Sequence, residues 1–158
     1  MNTLTRRLLQ SATATALLGV AVHLAAMPAG PEWYAWFGAP PFVVRSALEG
    51  TWIAPVGALL IAILMGVCAW YGAAALGWVR RPWLHRTGLW AMAAVCLLRA
   101  AVLPLLLPSF PDLLSAFEVI AALLWGLAGA GFAVGAWALR HQPAAPAPAQ
   151  PAEQTAVG

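Results

Sequence analysis

The sequence predicts an all-α protein, a membrane-embedded four-helix bundle with a short interfacial helix in the first outer loop. Three observations carry that expectation. Hydrophobic residues make up 63% of the 158-residue chain and charged residues only 8%, whereas an ordinary soluble domain is about one quarter charged. Mean hydropathy is +0.82. Four apolar stretches are each long enough to cross a hydrocarbon core of about 30 Å, which needs roughly 20 helical residues.

The spans fall at about 8–27, 53–77, 88–107 and 113–139. Residues 1–140 therefore form one bundle whose core faces lipid and neighbouring helices, with no room for a separate soluble catalytic domain. The tail from residue 141 to 158, HQPAAPAPAQPAEQTAVG, is rich in proline and alanine and nearly uncharged. It cannot bury enough apolar area to fold and is expected as disordered, polyproline-like coil in the cytoplasm.

The first span opens with TRRLLQSATATALLG, and paired arginines before an apolar run also open export signals. A cleavage site, however, wants small residues at −3 and −1, and the run ends in VHLAAMPAG, which puts His23, Leu24, Met27 or a proline at −3. The run also exceeds the 7–15 residues of a signal core. An uncleaved first helix is expected, with Arg6 and Arg7 as its anchor.

All eight cationic side chains are arginines. Arg6, Arg7, Arg80, Arg81, Arg86 and Arg140 fall on one side of the spans, Arg45 falls on the other and Arg99 lies within the third. The positive-inside rule then puts both termini in the cytoplasm of a multi-pass protein of the bacterial inner membrane. Arginines at span ends answer to anionic headgroups, so no nucleic-acid partner is implied.

The connections are a 25-residue outer loop, PAGPEWYAWFGAPPFVVRSALEGTW, a basic turn, VRRPWLHRT, and a corner, PSFPD. Pro108 and Pro111 make that corner a place for reversal, so spans three and four should be antiparallel neighbours. In the outer loop, PFVVRSALEG reads as a short helix with Pro41 in its first turn and Gly50 ending it. Arg45 and Glu49, four apart, should pair on its wet face while Val43, Val44, Ala47 and Leu48 lie on the membrane.

An ionisable residue at membrane depth costs at least about 2.5 kcal/mol, so each is a candidate for function and needs a partner. His23, Arg99 and Glu118 are the three. At ~1.5 Å per residue they lie roughly 6, 12 and 8 Å from the outer face. Arginine's long stem can cover the difference, which predicts an Arg99–Glu118 ion pair. One consequence is a strut holding spans three and four in register, with His23 bonded to a carbonyl. The other is a polar pocket open to the outer face that binds a quinone-like, lipid or small anionic ligand.

Ser11, Thr15, Gly19 and His23 recur every four residues and form one small, polar stripe on span one. Gly126 with Ala130 and Gly131 with Gly135 put small residues on span four, a pattern of close helix packing within a bundle or between copies in a homo-oligomer. Trp33, Tyr34, Trp36 and Phe37 form an aromatic patch where span one leaves the bilayer, either an interfacial belt or a lid across the pocket. Trp52, Trp78, Trp83, Trp90 and Trp137 fall near interfaces by the same logic.

Cys68 and Cys96 share a depth in the inner half and read as small apolar fillers. The histidines at 23, 85 and 141 lack metal-ligand spacing, and no metal or cofactor is implied. No phosphate-binding glycine loop or activated serine stands in the chain, so enzymatic activity is not indicated.

HLAAMPAGPEWYAWFGAPP, the second span and then Arg99 within CLLRAAVLPLLLP together resemble the DoxX-like and related small four-helix inner-membrane proteins of bacteria. The likeness is one of architecture, over roughly residues 5 to 140. For some members it implies a role beside respiratory or thiol-redox systems. Two functions follow for the chain: an accessory subunit that meets a protein partner through its outer loop or its GFAVG face, or a binding or transport protein using the outer pocket. Four spans lack the inverted repeats of secondary transporters, so transport would need a dimer.

Overall fold

The computed structural model describes residues 1–109 and 116–141. The six α-helices among them are α1 (Thr3–Ala29), α2 (Pro31–Trp36), α3 (Pro41–Leu48), α4 (Ile53–Ala75), α5 (His85–Leu106) and α6 (Ala116–Ala138), and a 3-10 turn, Leu139–His141, follows α6. Four of them, α1, α4, α5 and α6, are long and apolar enough to cross a membrane. The protein is a small multi-pass membrane protein. The expected Pro/Ala-rich tail beyond His141 and residues 110–115, which include the last three of the PSFPD corner, lie outside the described residues.

Most helix ends lie within two residues of the sequence reading, and the starts of α1 and α5 come earlier by five and three residues. Helix α1 starts at Thr3 because the Asn2 side chain accepts a hydrogen bond from the Thr5 amide at 2.8 Å, a cap that satisfies an orphan donor of the first turn. Arg6 and Arg7 therefore ride on the helix. Helix α5 starts at His85, directly after Leu84, whose φ of 57° is left-handed and breaks the preceding turn.

The long helices pack in the order α4, α1, α6, α5, and α4 meets α5 much less than the other neighbours meet. In lipid no hydrophobic force draws helices together, so close backbone approach has to. Glycine supplies it here. A Cβ at Gly131 would run into the Leu8 carbonyl and the Ala12 methyl, and one at Gly135 would touch Leu9. The GFAVG face is thus covered by α1 of the same chain. A Cβ at Gly129 would come within 2.7 Å of Leu97, and one at Gly126 within 3.7 Å of Ala100. These two contacts fix α5 and α6 as antiparallel neighbours. Thr13 fits against Gly72 of α4, with its hydroxyl returned to the Leu9 carbonyl at 2.8 Å.

Phe132, Leu9 and Leu89 are the largest fully buried side chains, and they lie in the half that carries the chain's paired arginines. There α4 and α5 do touch. Tyr71 occupies the space over Gly88, and His85 Nε2 is 3.2 Å from the Tyr71 carbonyl. At this arginine end Arg140 lies over the Trp137 ring at 5.0 Å, and Trp78 and Trp83 are exposed.

The opposite, aromatic end is closed by α2 and α3. Helix α3 matches its expected bounds: Pro41 opens it and Gly50, at φ 67°, follows its cap. Its contacts differ from expectation. Val43, Val44 and Ala47 pack on Ala26, Tyr34, Ala54 and Ala58 rather than lying on the membrane, and only Leu48 stays exposed. Ser46 is buried, shares a 2.7 Å hydrogen bond with the Thr51 hydroxyl and accepts one from the Ala54 amide at 3.0 Å, which caps α4. Glu49 caps α3 through its backbone, with its amide bonded to the Arg45 carbonyl. No ion pair joins the Arg45 and Glu49 side chains among the described residues.

Candidate functional site

A cavity of about 740 Å³ opens in the aromatic half of the bundle, where α4 and α5 no longer fill the space between them. Ligand sites in proteins typically enclose about 300–1,000 Å³. All three membrane-depth ionisable residues, His23, Arg99 and Glu118, line it. So do all four aromatics of the loop patch, Trp33, Tyr34, Trp36 and Phe37.

The expected charged pair forms. Arg99 Nη2 donates to Glu118 Oε2 at 3.1 Å, with the side chains 36% and 25% exposed. The axial offset is larger than expected. Contact of Gly126 with Ala100 and of Gly129 with Leu97 puts residue 127 level with Arg99. Glu118 is nine residues nearer the aromatic end, roughly 13 Å along a straight helix, and two long side chains close that gap. Both side chains line the cavity and are partly exposed, so packed side chains do not fully enclose the pair.

His23 Nδ1 is 2.8 Å from the Gly19 carbonyl. A carbonyl can only accept, so Nδ1 carries the proton, which leaves Nε2 as the ring nitrogen turned to other partners. Of the small stripe on α1, Thr15, Gly19 and His23 line the cavity, while Leu9, Ala12 and Thr13, on the adjoining face, form the tight seam with the other helices. Gly19 also takes the thioether of Met65, to which a Cβ would come within 2.8 Å.

Helix α2 had no counterpart in the sequence reading. Gly30, at φ 90°, breaks α1, and Pro31 with Glu32 in the first turn starts a new helix. Its end is held by rings: Phe37 meets Trp36 edge-on at 4.7 Å and Phe117 at 5.6 Å. Phe117 adjoins Glu118, and Gly38, left-handed at φ 67°, brings the loop backbone close enough that a Cβ would lie 3.5 Å from Glu118 Oε1. The aromatic segment is therefore fastened over the ion pair.

Tyr34 anchors α2 from below at 8% exposure. Its hydroxyl is enclosed by apolar neighbours and has no hydrogen-bond partner among the described residues. Burial pushes its phenol above the ordinary range, so it stays protonated. Trp33 and Trp36 are 40% and 70% exposed, and both also line the cavity.

The far end of the cavity is apolar. Cys68, Cys96, Ala128 and Phe132 close it, and both cysteines are free thiols. The site thus has a polar end made by three side chains from α1, α5 and α6, an aromatic cover and an apolar shaft. Comparison of the chain with protein-family models, with curated proteins and with solved structures gives no match.

Proposed function

We propose that this protein binds a lipid-soluble ligand, a lipid or a quinone-like molecule, whose polar head sits against Arg99, Glu118 and His23 and whose apolar body fills the shaft. The observation that carries this reading is the single cavity that joins the pair, His23 and the aromatic cover. A strut alone needs no such space, because protein interiors otherwise pack to the density of organic crystals.

The arginine distribution and the resemblance to DoxX-like proteins support a bacterial inner-membrane location with both termini cytoplasmic and the site in the outer half. Trp33, Tyr34, Trp36 and Phe37 act as its cover. An accessory role beside a protein partner is a second reading, favoured by the fact that the Arg99–Glu118 pair does tie α5 to α6.

Melting temperatures of wild type, Arg99→Ala and His23→Ala in nanodiscs, with and without a lipid and quinone panel, test the proposal. A ligand that raises the wild-type value and loses its effect in either variant is the expected result. No ligand effect in any form would leave the accessory role standing.

A further inference from the structure

Arg99 and Glu118 cancel each other's charge at the polar end of the cavity. An anionic head placed there gains Arg99 but meets the Glu118 carboxylate, and it carries a net charge into a low-dielectric site. A carboxylate head also has no proton to give His23 Nε2. A hydroxyl head meets none of these costs. Its O–H can donate to Nε2 of a His23 ring whose one proton is on Nδ1, the nitrogen held by the Gly19 carbonyl, and its oxygen accepts from the guanidinium, which has more donors than the one given to Glu118. No net charge is moved.

The shape limits the rest of the molecule. The cavity runs along α1 from Thr15 to Ala26, roughly 17 Å at ~1.5 Å per residue. Its volume of about 740 Å³ lies within the range of ordinary ligand sites, which suits a small head with one chain. Met65, Leu124 and Phe132 give it an apolar wall. The side between α4 and α5, where the bundle is least closed, lies within the spans, so a chain can enter from the bilayer without passing the aromatic cover.

Resting on the pocket reading above, we infer that the occupant is a single-chain, uncharged amphiphile with a hydroxyl head, of the chemical class of a monoacylglycerol. The head sits at Arg99, Glu118 and His23, and the chain lies between α4 and α5 toward Phe132.

The test uses the full chain in zwitterionic nanodiscs at pH 7.5, titrated with 1-oleoylglycerol and with oleate, which share one chain and differ in head. Melting temperature is read against ligand concentration. Oleoylglycerol is expected to bind at least about ten-fold tighter than oleate, and His23→Phe to shrink that preference to about three-fold or less. Gly57 lines the cavity and nothing lies within 4 Å of a Cβ added there. Gly57→Phe is therefore expected to block both ligands while leaving the ligand-free melting temperature near wild type, with Gly57→Leu as the smaller variant should phenylalanine not be accommodated.

Oleate binding as tightly as oleoylglycerol would overturn the head assignment and leave the pocket reading intact. Unchanged binding in both Gly57 variants would overturn the seating between α4 and α5. No stabilisation by either probe, nor by any lipid or quinone, would overturn this inference and the pocket reading together.

Discussion

Arg99 of α5 and Glu118 of α6 meet at 3.1 Å across two helices whose backbones place them about nine residues out of level. Each charge is tolerated at membrane depth because the other is there. Removing one leaves its partner uncompensated, and partial exposure to the cavity softens the penalty below that of a sealed pair. Arg99→Ala and Glu118→Ala are each expected to destabilise by about 1–3 kcal/mol, and the double variant by less than the sum. Denaturation of the four proteins in one lipid environment measures the coupling.

Tyr34 points to the opposite sign. Its buried hydroxyl lacks a partner among the described residues, and an unsatisfied buried polar group costs about 1–3 kcal/mol. Tyr34→Phe keeps the ring that packs on Ala54 and Ala58 and removes the hydroxyl. It is expected to be neutral or to stabilise by about 1 kcal/mol. The gain should widen at alkaline pH. The folded chain holds the Tyr34 proton above its ordinary pKa, whereas the unfolded chain releases it near pH 10, so wild-type stability falls as pH rises past about 10. A pH series of melting temperatures for both proteins checks the sign.

Gly131 and Gly57 should separate cleanly. A side chain at Gly131 strikes the Leu8 backbone, which cannot move without displacing α1, whereas one at Gly57 meets open space. Gly131→Val is expected to cost about 1–3 kcal/mol or more from overpacking. Gly57→Ala should gain up to about 0.5–1 kcal/mol of helix propensity. Yield of monodisperse protein and melting temperature distinguish the two.

Ser46 links the aromatic cover to the bundle. Its hydroxyl serves the Ala54 amide and the Thr51 hydroxyl, so Ser46→Ala should cost about 1 kcal/mol or more. Hydrogen exchange should quicken first at the start of α4.

The sequence made legible what depends on one helix at a time. Span length and apolar content located α1, α4, α5 and α6, Pro41 and Gly50 delimited α3, and depth bookkeeping paired Arg99 with Glu118. Which helices become neighbours was less legible, because a lipid-facing helix is apolar all round and its periodicity names no partner. Gly131 and Gly135 marked a packing face, but only the fold shows that α1 fills it. Helix α2 was hidden because the aromatics of PEWYAW suit a belt as well as a helix. The Arg45–Glu49 pairing failed because spacing allows an exposed pair without requiring one. The polar end of the cavity was legible in His23, Arg99 and Glu118, whereas its apolar shaft is a gap among four helices with no local sequence signature.

Native mass spectrometry of the chain released from its own membranes tests the central claim most directly. One bound species of lipid-like mass per wild-type chain is expected, lost when Gly57→Phe fills the cavity. A wild-type chain that flies free of any such mass, or an adduct that survives unchanged in Gly57→Phe, would contradict it.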